Sequence, residues 1–309
     1  MRIAILGGGI SGLIAEGCFQ GHDIEIFDPK ESVGFSDEHK AVMRLRNDKI
    51  KDYINCSLEK VTAYKAVYHE GKLYDRSNIM LNNLYSLKAY GSLGERSLKD
   101  LGRVERYLLK SAGPLKSGRH RRSKILRISD KVIHGALSVS AAYDICISTI
   151  PMPALLSILR IDHNIHFSHT HIYVARATLS IESAVHQTIY FTAQALSTPY
   201  RVTIEGKNVI AESIMPIEEA YFGRWLEPFG LSVTDIESFE QFEQPFGKMK
   251  PIDDPVRKKI MKDLTDKHNI YSFGRFATWR PLRVDQTLDD IEKIKMFIKI
   301  RDIGYYEDI

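Results

Sequence analysis

The first thirty residues carry the pattern that most constrains the fold. Residues 3–6 form a short apolar run of strand-forming residues, and the glycine-rich turn GGGISG follows directly at 7–12. The apolar spacing of 13–19 suits a helix, and residues 22–28 alternate as a second strand. Strand, glycine turn, helix and strand in this order predict a Rossmann-like α/β unit.

This unit predicts a binding site for the phosphates of a dinucleotide. Gly7 permits the tight turn, Gly9 lets the backbone approach a pyrophosphate, and Gly12 lets the helix pack close to the strand. The helix starts near Ile10 and Ser11, where unpaired N–H groups and the helix dipole attract phosphate. We therefore expect the backbone of 7–12 to hold a pyrophosphate.

An acid and two later segments narrow the choice of cofactor. Asp28 lies 21 residues after Gly7 and can bind a ribose that carries no phosphate, which favours FAD or NAD over NADP. The apolar stretch 143–155 predicts a strand that returns to the first sheet, and 270–273 predict another. A sheet reused at three separated places is typical of large flavoproteins, so we expect FAD.

The last of these strands leads into a second predicted contact with the cofactor. Gly274 and Arg275 form a turn after the strand, and Asp285 is expected to cap a helix that continues past residue 294. Gln286 and Thr287 follow in the first turn, where free N–H groups would face a ligand. An ordinary turn at Gly274 and Arg275 is the alternative.

These segments resemble the FAD-binding regions of UDP-galactopyranose mutases and of the wider amine-oxidase-like flavoproteins. The mutases carry Gly-Arg, Thr-aromatic-Arg and an aspartate before a helix, which match Gly274-Arg275, Thr278-Trp279-Arg280 and Asp285. Residues 38–55, 68–81 and 198–206 resemble, more loosely, a histidine-bearing loop, a hairpin and a strand with a substrate-facing arginine. The mutases place tyrosines after the Thr-aromatic-Arg segment, and PLRV at 281–284 contains none.

A second resemblance is to phage-encoded flavoproteins of mutase-like fold, carried by EHKAVMRLRND at 38–48 and HEGKLYDRSNIMLNNLYS at 69–86. That family is associated with thymine hypermodification in bacteriophage DNA. It implies a flavin-dependent C-glycyltransferase, which converts glycine N-linked to the thymine methyl group into C-linked glycine. The alternatives are a mutase-like or amine-oxidase flavoenzyme acting on a small molecule, and a flavin-bearing binding protein without turnover.

The resemblance also nominates catalytic residues. His39 lies in a loop expected to pass over the flavin ring, where it could relay a proton or stabilise reduced flavin. Lys40 and Arg44 could stabilise an anionic flavin or a carboxylate, and Arg201 could hold a substrate carboxylate or phosphate with two hydrogen bonds. The alternatives are a surface-loop histidine and an edge-strand arginine.

A basic segment suggests a partner. Residues 95–131 contain twelve Lys or Arg and four Asp or Glu, with the densest part at 116–124. Such a segment is the electrostatic footprint of a polyanion, so duplex DNA is a predicted partner, and a solvated loop is the alternative. The residues expected to contact DNA are Lys116, Arg119, Arg121, Arg122 and Lys124.

Together these features predict an α/β fold: a Rossmann-like FAD-binding domain with an inserted α+β substrate domain that contains an antiparallel sheet. The FAD-binding domain is expected at 1–45, 130–160 and 265–309, and the substrate region at 46–129 and 161–264. No metal is expected, because His169 and His171 lack further ligands at a suitable spacing and suit a strand face instead. No apolar run is long enough to cross a membrane, and three cysteines without disulfide spacing favour a cytoplasmic protein, in the host cytoplasm if phage-encoded.

Overall fold

The computed structural model describes residues 1–34, 43–89, 98, 100–136, 138–195 and 198–302. The strands, in chain order, are β1 (Arg2–Leu6), β2 (Asp23–Asp28), β3 (Arg44–Leu45), β4 (Cys56–His69), β5 (Lys72–Tyr74), β6 (Gly102–Ala112), β7 (Arg119–Arg122), β8 (Ile125–Ser129), β9 (Val132–Gly135), β10 (Ser140–Ala142), β11 (Ile145–Ser148), β12 (His169–Phe191), β13 (Arg201–Ser213), β14 (Ile236–Met249) and β15 (Ile270–Ser272). The α-helices are α1 (Ile10–Cys18), α2 (Ile79–Lys88), α3 (Met152–Ile158), α4 (Glu219–Phe222), α5 (Asp254–His268) and α6 (Val284–Asp302).

A five-stranded parallel sheet carries the glycine turn. Its strand order is β15-β11-β1-β2-β7, and every neighbouring pair is parallel. One face packs on α1 and α6, through side chains such as Ile5, Leu13 and Ile291. The other face packs on α3 and α5, through Leu155 and Leu264. Because helices cover both faces of this sheet, its central strands are continuous apolar runs in the sequence. The predicted Rossmann-like domain is confirmed.

A seven-stranded mixed sheet forms the second part of the molecule. Its order is β13-β12-β4-β6-β3, with β14 paired to β12 and β5 paired to β4. The 23-residue β12 joins the sheet together: its first half pairs with β14, its last residues pair with β4, and β13 runs antiparallel beside it. The inserted α+β region with an antiparallel section is therefore confirmed, and a small antiparallel sheet, β10-β9-β8, lies under α3.

Two short strands lie on the other side of the expected domain boundaries. Strand β7, inside the basic segment, pairs with β2 and extends the parallel sheet, so residues 119–122 form a strand and not a solvated loop. Strand β3, assigned by sequence to the FAD-binding domain, pairs with β6 in the seven-stranded sheet. An edge strand forms backbone hydrogen bonds to a neighbour on one side only. Strands β3 and β7 could therefore form without the apolar pattern that predicts a strand from the sequence.

The start of α6 also differs from its expectation. The helix begins at Val284, so Asp285 lies in the first turn instead of at the cap. The side chain of Gln286 accepts a hydrogen bond of 3.1 Å from the backbone N–H of Arg283, which is the contact that a third-position glutamine makes in a capping box. The helix therefore starts two residues earlier than a cap at Asp285 would place it, and Gln286 makes the third-position contact with the N–H of Arg283.

The three cysteines are free, with Cys18 and Cys146 buried and Cys56 partly exposed. Within the described ranges, no helix combines the length and the apolar character that a membrane span requires.

Candidate functional site

The glycine turn has the geometry of a phosphate-binding loop. Gly7 has a φ of +96° and donates a hydrogen bond of 2.9 Å to the carbonyl of Phe27, so the turn is tied to the end of β2. A Cβ on Gly12 would lie 2.1 Å from the carbonyl oxygen of Gly7, so α1 approaches β1 as closely as a glycine allows. A Cβ on Gly9, in contrast, would meet nothing within 4 Å. Open space therefore lies above the backbone where a pyrophosphate would lie.

Asp28 closes the other side of this turn. Its Oδ2 accepts a hydrogen bond of 2.6 Å from the N–H of Gly8, and its Oδ1 accepts one of 2.9 Å from the N–H of Lys30. The carboxylate is thereby fixed at the carboxyl end of β2, where a ribose hydroxyl would meet it. The open space at Gly9 and this oriented carboxylate fit the ADP portion of FAD.

The C-terminal turn packs directly on the start of α1. Gly274 has a φ of +87°, and a Cβ there would lie 2.5 Å from the Oγ of Ser11. Arg275 donates a hydrogen bond of 2.8 Å from Nη2 to the carbonyl of Gly247 on β14. The turn therefore joins the dinucleotide side of the molecule to the seven-stranded sheet. Trp279 is fully buried and donates to the carbonyl of Lys250, so it packs in the interior instead of facing a ligand.

The side chains at the start of α6 that were predicted to contact FAD bond to neighbouring residues of the chain. Asp285 forms an ion pair of 3.2 Å with Arg283, and the hydroxyl of Thr287 donates to the carbonyl of Val284. The side chain of Gln286 also bonds to Arg283, as described above. Their predicted contact with FAD stays a prediction.

A cavity of about 350 Å³ lies between the seven-stranded sheet and the segment that follows Gly274. Its walls carry eight cationic and two acidic side chains, together with two tyrosines, Tyr190 and Tyr200. The cations are Arg44, Arg46, Lys65, Arg106, Arg201, Lys248, Arg275 and Arg283, and the acids are Asp100 and Glu212. The walls therefore have a strong excess of positive charge.

The cavity brings together three residues that the sequence nominated. Arg44, Arg201 and Arg275 line it, although they are separated by more than two hundred residues along the chain. The sequence interpretation missed Lys65 and Lys248, because single lysines in alternating strands carry no motif. His39 and Lys40 lie outside the described residues.

Arg44 is the most incompletely paired of these cations. Its Nη1 donates a hydrogen bond of 2.8 Å to the hydroxyl of Thr188, while its buried Nε and Nη2 have no hydrogen-bond partner among the described residues. Burial lowers the pKa of Arg44 to about 10, although Glu205 acts to raise it. A guanidinium group in this state is poised to accept an anionic ligand as its partner.

Arg201 is held in place by an acid on its own strand. Its Nε donates to Glu212, and the hydroxyl of Tyr200 donates a hydrogen bond of 3.3 Å to the same carboxylate. Burial alone would raise the pKa of Glu212, but the charge of Arg201 holds it below the usual value. Glu212 is therefore ionised and orients Arg201 toward the cavity.

The pKa values of the two lysines in the cavity are both lowered. Burial, together with the nearby Arg106, lowers the pKa of Lys65 to about 8. Burial lowers the pKa of Lys248 to about 7, aided by Arg201 and Arg275 and opposed by Glu212. The cavity is therefore short of negative charge, as expected of a site built for an anion.

The arginines of the basic segment are arranged differently. Arg119 pairs with Asp23 at 2.7 Å, Arg121 with Glu25 at 2.8 Å, and Arg122 with Glu31 at 2.9 Å. Lys116 reaches the carbonyl of Asp52 at 3.5 Å, and Lys124 is exposed. Ion pairs across β2 and β7 thus neutralise much of the charge that the sequence concentrates here.

The paired histidines lie on β12 as expected. His169 and His171 stack with their ring centroids 6.1 Å apart, and His171 also pairs with Glu243. In the part of the chain that the structure describes, no group of three or more His, Cys, Asp or Glu side chains could hold a metal ion.

Comparison with known proteins extends the description of the fold. Neither the protein-family models nor the curated proteins contain a match to the sequence. A crystal structure of reduced UDP-galactopyranose mutase matches with a TM-score of 0.71 at 12% identity and covers 96% of both chains. A CLA-producing fatty acid isomerase from P. acnes matches with a TM-score of 0.64 at 13% identity, over 95% of this chain and 97% of that one. A putative protoporphyrinogen oxidase from Exiguobacterium sp. 255-15 matches with a TM-score of 0.58 at 12% identity, over 94% and 98%. The likeness establishes the fold that the mutase resemblance implied.

Proposed function

We propose that this chain is an FAD-dependent flavoenzyme whose anionic substrate binds in the cation-lined cavity. The substrate is a thymine in duplex DNA that carries glycine N-linked to its methyl group, and the product carries the same glycine C-linked. The enzyme is thus of the C-glycyltransferase type and acts on bacteriophage DNA in the host cytoplasm.

The observation that carries the proposal is the uncompensated positive charge of the cavity. Eight cations face two carboxylates there, and Arg44 keeps two buried nitrogens without a partner. Burying unpaired polar groups costs free energy, so the site gains stability when an anion enters. A glycyl carboxylate supplies two oxygens that match a guanidinium group.

The cofactor would be held by the glycine turn and its neighbours. The backbone of 7–12, including Gly7, Gly9, Ile10, Ser11 and Gly12, binds the pyrophosphate, and Asp28 binds the ribose. The turn at Gly274 and Arg275 completes the site from the C-terminal side. FAD held by these residues would supply a group that can accept a hydride and return it, so a redox-neutral isomerisation would need no nicotinamide partner.

The chain's own residues position the substrate. Arg44 and Arg201 hold the glycyl carboxylate, and Glu212 and Tyr190 orient Arg201. His39 and Lys40 stay predicted residues of the flavin side.

DNA would reach the cavity by flipping the modified base out of the duplex, since the reacting atoms are inaccessible within a base stack. The edge strand β7 is the proposed contact with the DNA backbone. Arg119, Arg121 and Arg122 keep 61%, 49% and 62% of their side-chain surface exposed. A phosphate can compete there with the carboxylates of β2 and Glu31, and Lys116 and Lys124 flank the strand.

The test uses the FAD-loaded protein and a synthetic duplex with one N-linked glycyl-thymine. Incubation without oxygen or NADH should convert this nucleoside into an isomer of equal mass but different chromatographic retention. An otherwise identical duplex with unmodified thymine is the control. Release of glyoxylate with hydrogen peroxide in air would identify an amine oxidase instead, and unchanged DNA would contradict the proposal.

A second candidate is a small-molecule flavoenzyme acting on a sugar nucleotide. The cation excess also suits a diphosphate, and the fold is similar to that of a UDP-galactopyranose mutase. Where the mutases carry tyrosines, however, Pro281, Leu282 and Arg283 line this cavity. Tight binding of UDP-galactose, seen as a shift of the flavin absorbance, with no response to glycyl-thymine DNA would favour this candidate.

A further inference from the structure

We infer that Lys248 is a catalytic residue that accepts the proton of the substrate's amine. This inference rests on the proposed function, because it needs a substrate with an amine next to the reacting carbon. It concerns a residue that no sequence motif identifies.

Lys248 lies at the inner wall of the cavity. It is the penultimate residue of β14, and its Nζ lies 3.9 Å from the centroid of the Tyr200 ring. Among the described residues, its ammonium group makes no hydrogen bond or ion pair within 4 Å. Its donors and its lone pair are therefore available to a ligand in the cavity.

The backbone places this lysine between the two halves of the site. The carbonyl of Gly247 accepts the hydrogen bond from Arg275, and Gly274 packs on Ser11 of the dinucleotide turn. A Cβ on Gly247 would lie 2.1 Å from Ile172, so β14 is pressed against β12 at this point. Lys248 is thus fixed on the side of the cavity that is linked to the dinucleotide turn.

The groups that face Lys248 leave it able to change its protonation state. Arg201 and Glu212 face it from β13, Tyr200 from the residue before that strand, and Arg275 from the segment after β15. Burial and the two arginines favour the neutral amine, and Glu212 favours the ammonium, which brings the pKa of Lys248 to about 7. Both forms are therefore populated near neutral pH.

Two other lysines with a lowered pKa serve as a comparison. Lys88, on α2, donates hydrogen bonds to the carbonyls of Ala193 and Ala195, so its ammonium group is committed to holding a loop. Lys65 faces Asp100, which already pairs with Arg46 and Arg106. Lys248 alone of these three lies beside the segment that contacts the dinucleotide turn.

The step is a simple proton transfer. An N-linked glycine is a secondary amine and is largely protonated in water, and its α-carbon cannot be oxidised until the nitrogen lone pair is free. Neutral Lys248 accepts the proton: the substrate N–H bond breaks, the Nζ–H bond forms, and no electrons leave the substrate in this step. The new ammonium group faces Glu212, which stabilises its charge.

The first test compares Lys248→Met and Lys248→Arg in the FAD-loaded enzyme, with the exposed Lys250→Met as the matched control. For the wild type, the rate with glycyl-thymine duplex should rise with pH through about 7. Both Lys248 variants should lose about 10²- to 10⁴-fold in kcat together with this rise, because neither methionine nor a permanently charged guanidinium can accept the proton. A wild-type rate in Lys248→Arg, or a raised KM with unchanged kcat in both variants, would overturn the inference.

The second test does not depend on turnover. Carbon-13 NMR of labelled lysines in the FAD-loaded protein should show one Cε resonance that titrates near pH 7 and is absent from Lys248→Met. If the wild type leaves glycyl-thymine DNA unchanged, the proposed function is wrong. The titration of the Cε resonance then tests by itself whether Lys248 can accept a proton near neutral pH. A pKa near the ordinary 10.5 for this resonance would exclude Lys248 as a proton acceptor for any substrate.

Discussion

The molecule uses arginine and lysine in two contrasting ways. On strand β7, three arginines pair with acids across the edge of the parallel sheet and stay about half exposed. In the cavity, Arg283 pairs with Asp285, the other seven cations face only two wall acids, and burial lowers the pKa values of Arg44, Lys65 and Lys248. The density of charge along a sequence therefore does not reveal where charge is left uncompensated in the fold, and uncompensated charge is the better indicator of a ligand site.

The largest expected effect tests whether the glycine turn beside the cavity holds a flavin at all. Gly9→Val should abolish FAD binding, because its side chain enters the space that the pyrophosphate needs. The protein should still fold, since Gly9 has a φ of −72° and a Cβ there meets nothing within 4 Å. Flavin absorbance after purification and circular dichroism measure the two properties.

The matched variant for this prediction is Gly12→Val. Its Cβ would lie 2.1 Å from the carbonyl of Gly7, so the turn itself must distort and folding should suffer as well. A Gly9→Val protein that is still yellow would show that the glycine turn does not hold the pyrophosphate of the flavin, and the cation-lined cavity would then lose its link to a flavin site.

The second prediction compares one carboxylate from each region. Glu212→Gln should lower the free energy of unfolding by about 3 kcal/mol, because it leaves a cation uncompensated within the cavity. Glu31→Gln, opposite Arg122, should cost less than about 1 kcal/mol, because both side chains of this ion pair are mostly exposed and exposed ion pairs contribute little. Urea denaturation at pH 7 measures both, and equal losses would show that the two regions do not differ in electrostatic compensation.

The sequence predicted the parallel sheet and its glycine turn because both are encoded locally. Residues 3–28 contain the whole motif, and the returning strands near 145 and 270 are continuous apolar runs. The cavity could not be predicted in the same way. Lys65 lies on β4 and Lys248 on β14, and each of these strands pairs with β12. Pairing between strands that are far apart in the sequence leaves no local signal.

The third prediction concerns pH. The pKa values of Lys65 and Lys248 fall to about 8 and about 7 in the folded protein, against 10.5 for an ordinary lysine. Between the folded and the unfolded pKa of each lysine, the unfolded chain binds more protons than the folded protein. These two groups therefore make the free energy of unfolding rise with pH from about 7 upward. Lys65→Met should flatten the rise between about pH 8 and 9.5.

Lys60→Met is the control for this measurement. Lys60 lies on the same strand, is exposed and pairs with Glu105, which raises its pKa above the ordinary value. Its stabilising contribution is fully present below about pH 10.5, so this variant should leave the slope unchanged up to pH 9.5. If the free energy of unfolding of Lys65→Met changes with pH in parallel with that of the wild type, burial does not lower the pKa of Lys65.

The smallest expected effect belongs to the edge strand. If β7 contacts DNA, replacing Arg119, Arg121 and Arg122 with Ala should make the dependence of log affinity on log salt shallower by up to about 3, since each phosphate contact contributes roughly 0.9. Pairing with the acids of β2 and Glu31 reduces this value. Fluorescence anisotropy with a labelled duplex measures the slope, and an unchanged slope would remove β7 from the proposed DNA interface.

The most direct test of the central claim compares Arg44→Met with Arg121→Met in one experiment. The FAD-loaded proteins are titrated, without oxygen, with duplex that carries N-linked glycyl-thymine, and the flavin absorbance reports binding in the cavity. Loss of the buried cation should weaken binding by about 30-fold or more, equivalent to at least 2 kcal/mol, while Arg121→Met should stay within about tenfold of the wild type. Unchanged binding by Arg44→Met, or a larger loss in Arg121→Met, would contradict the assignment of the substrate site to the uncompensated cavity.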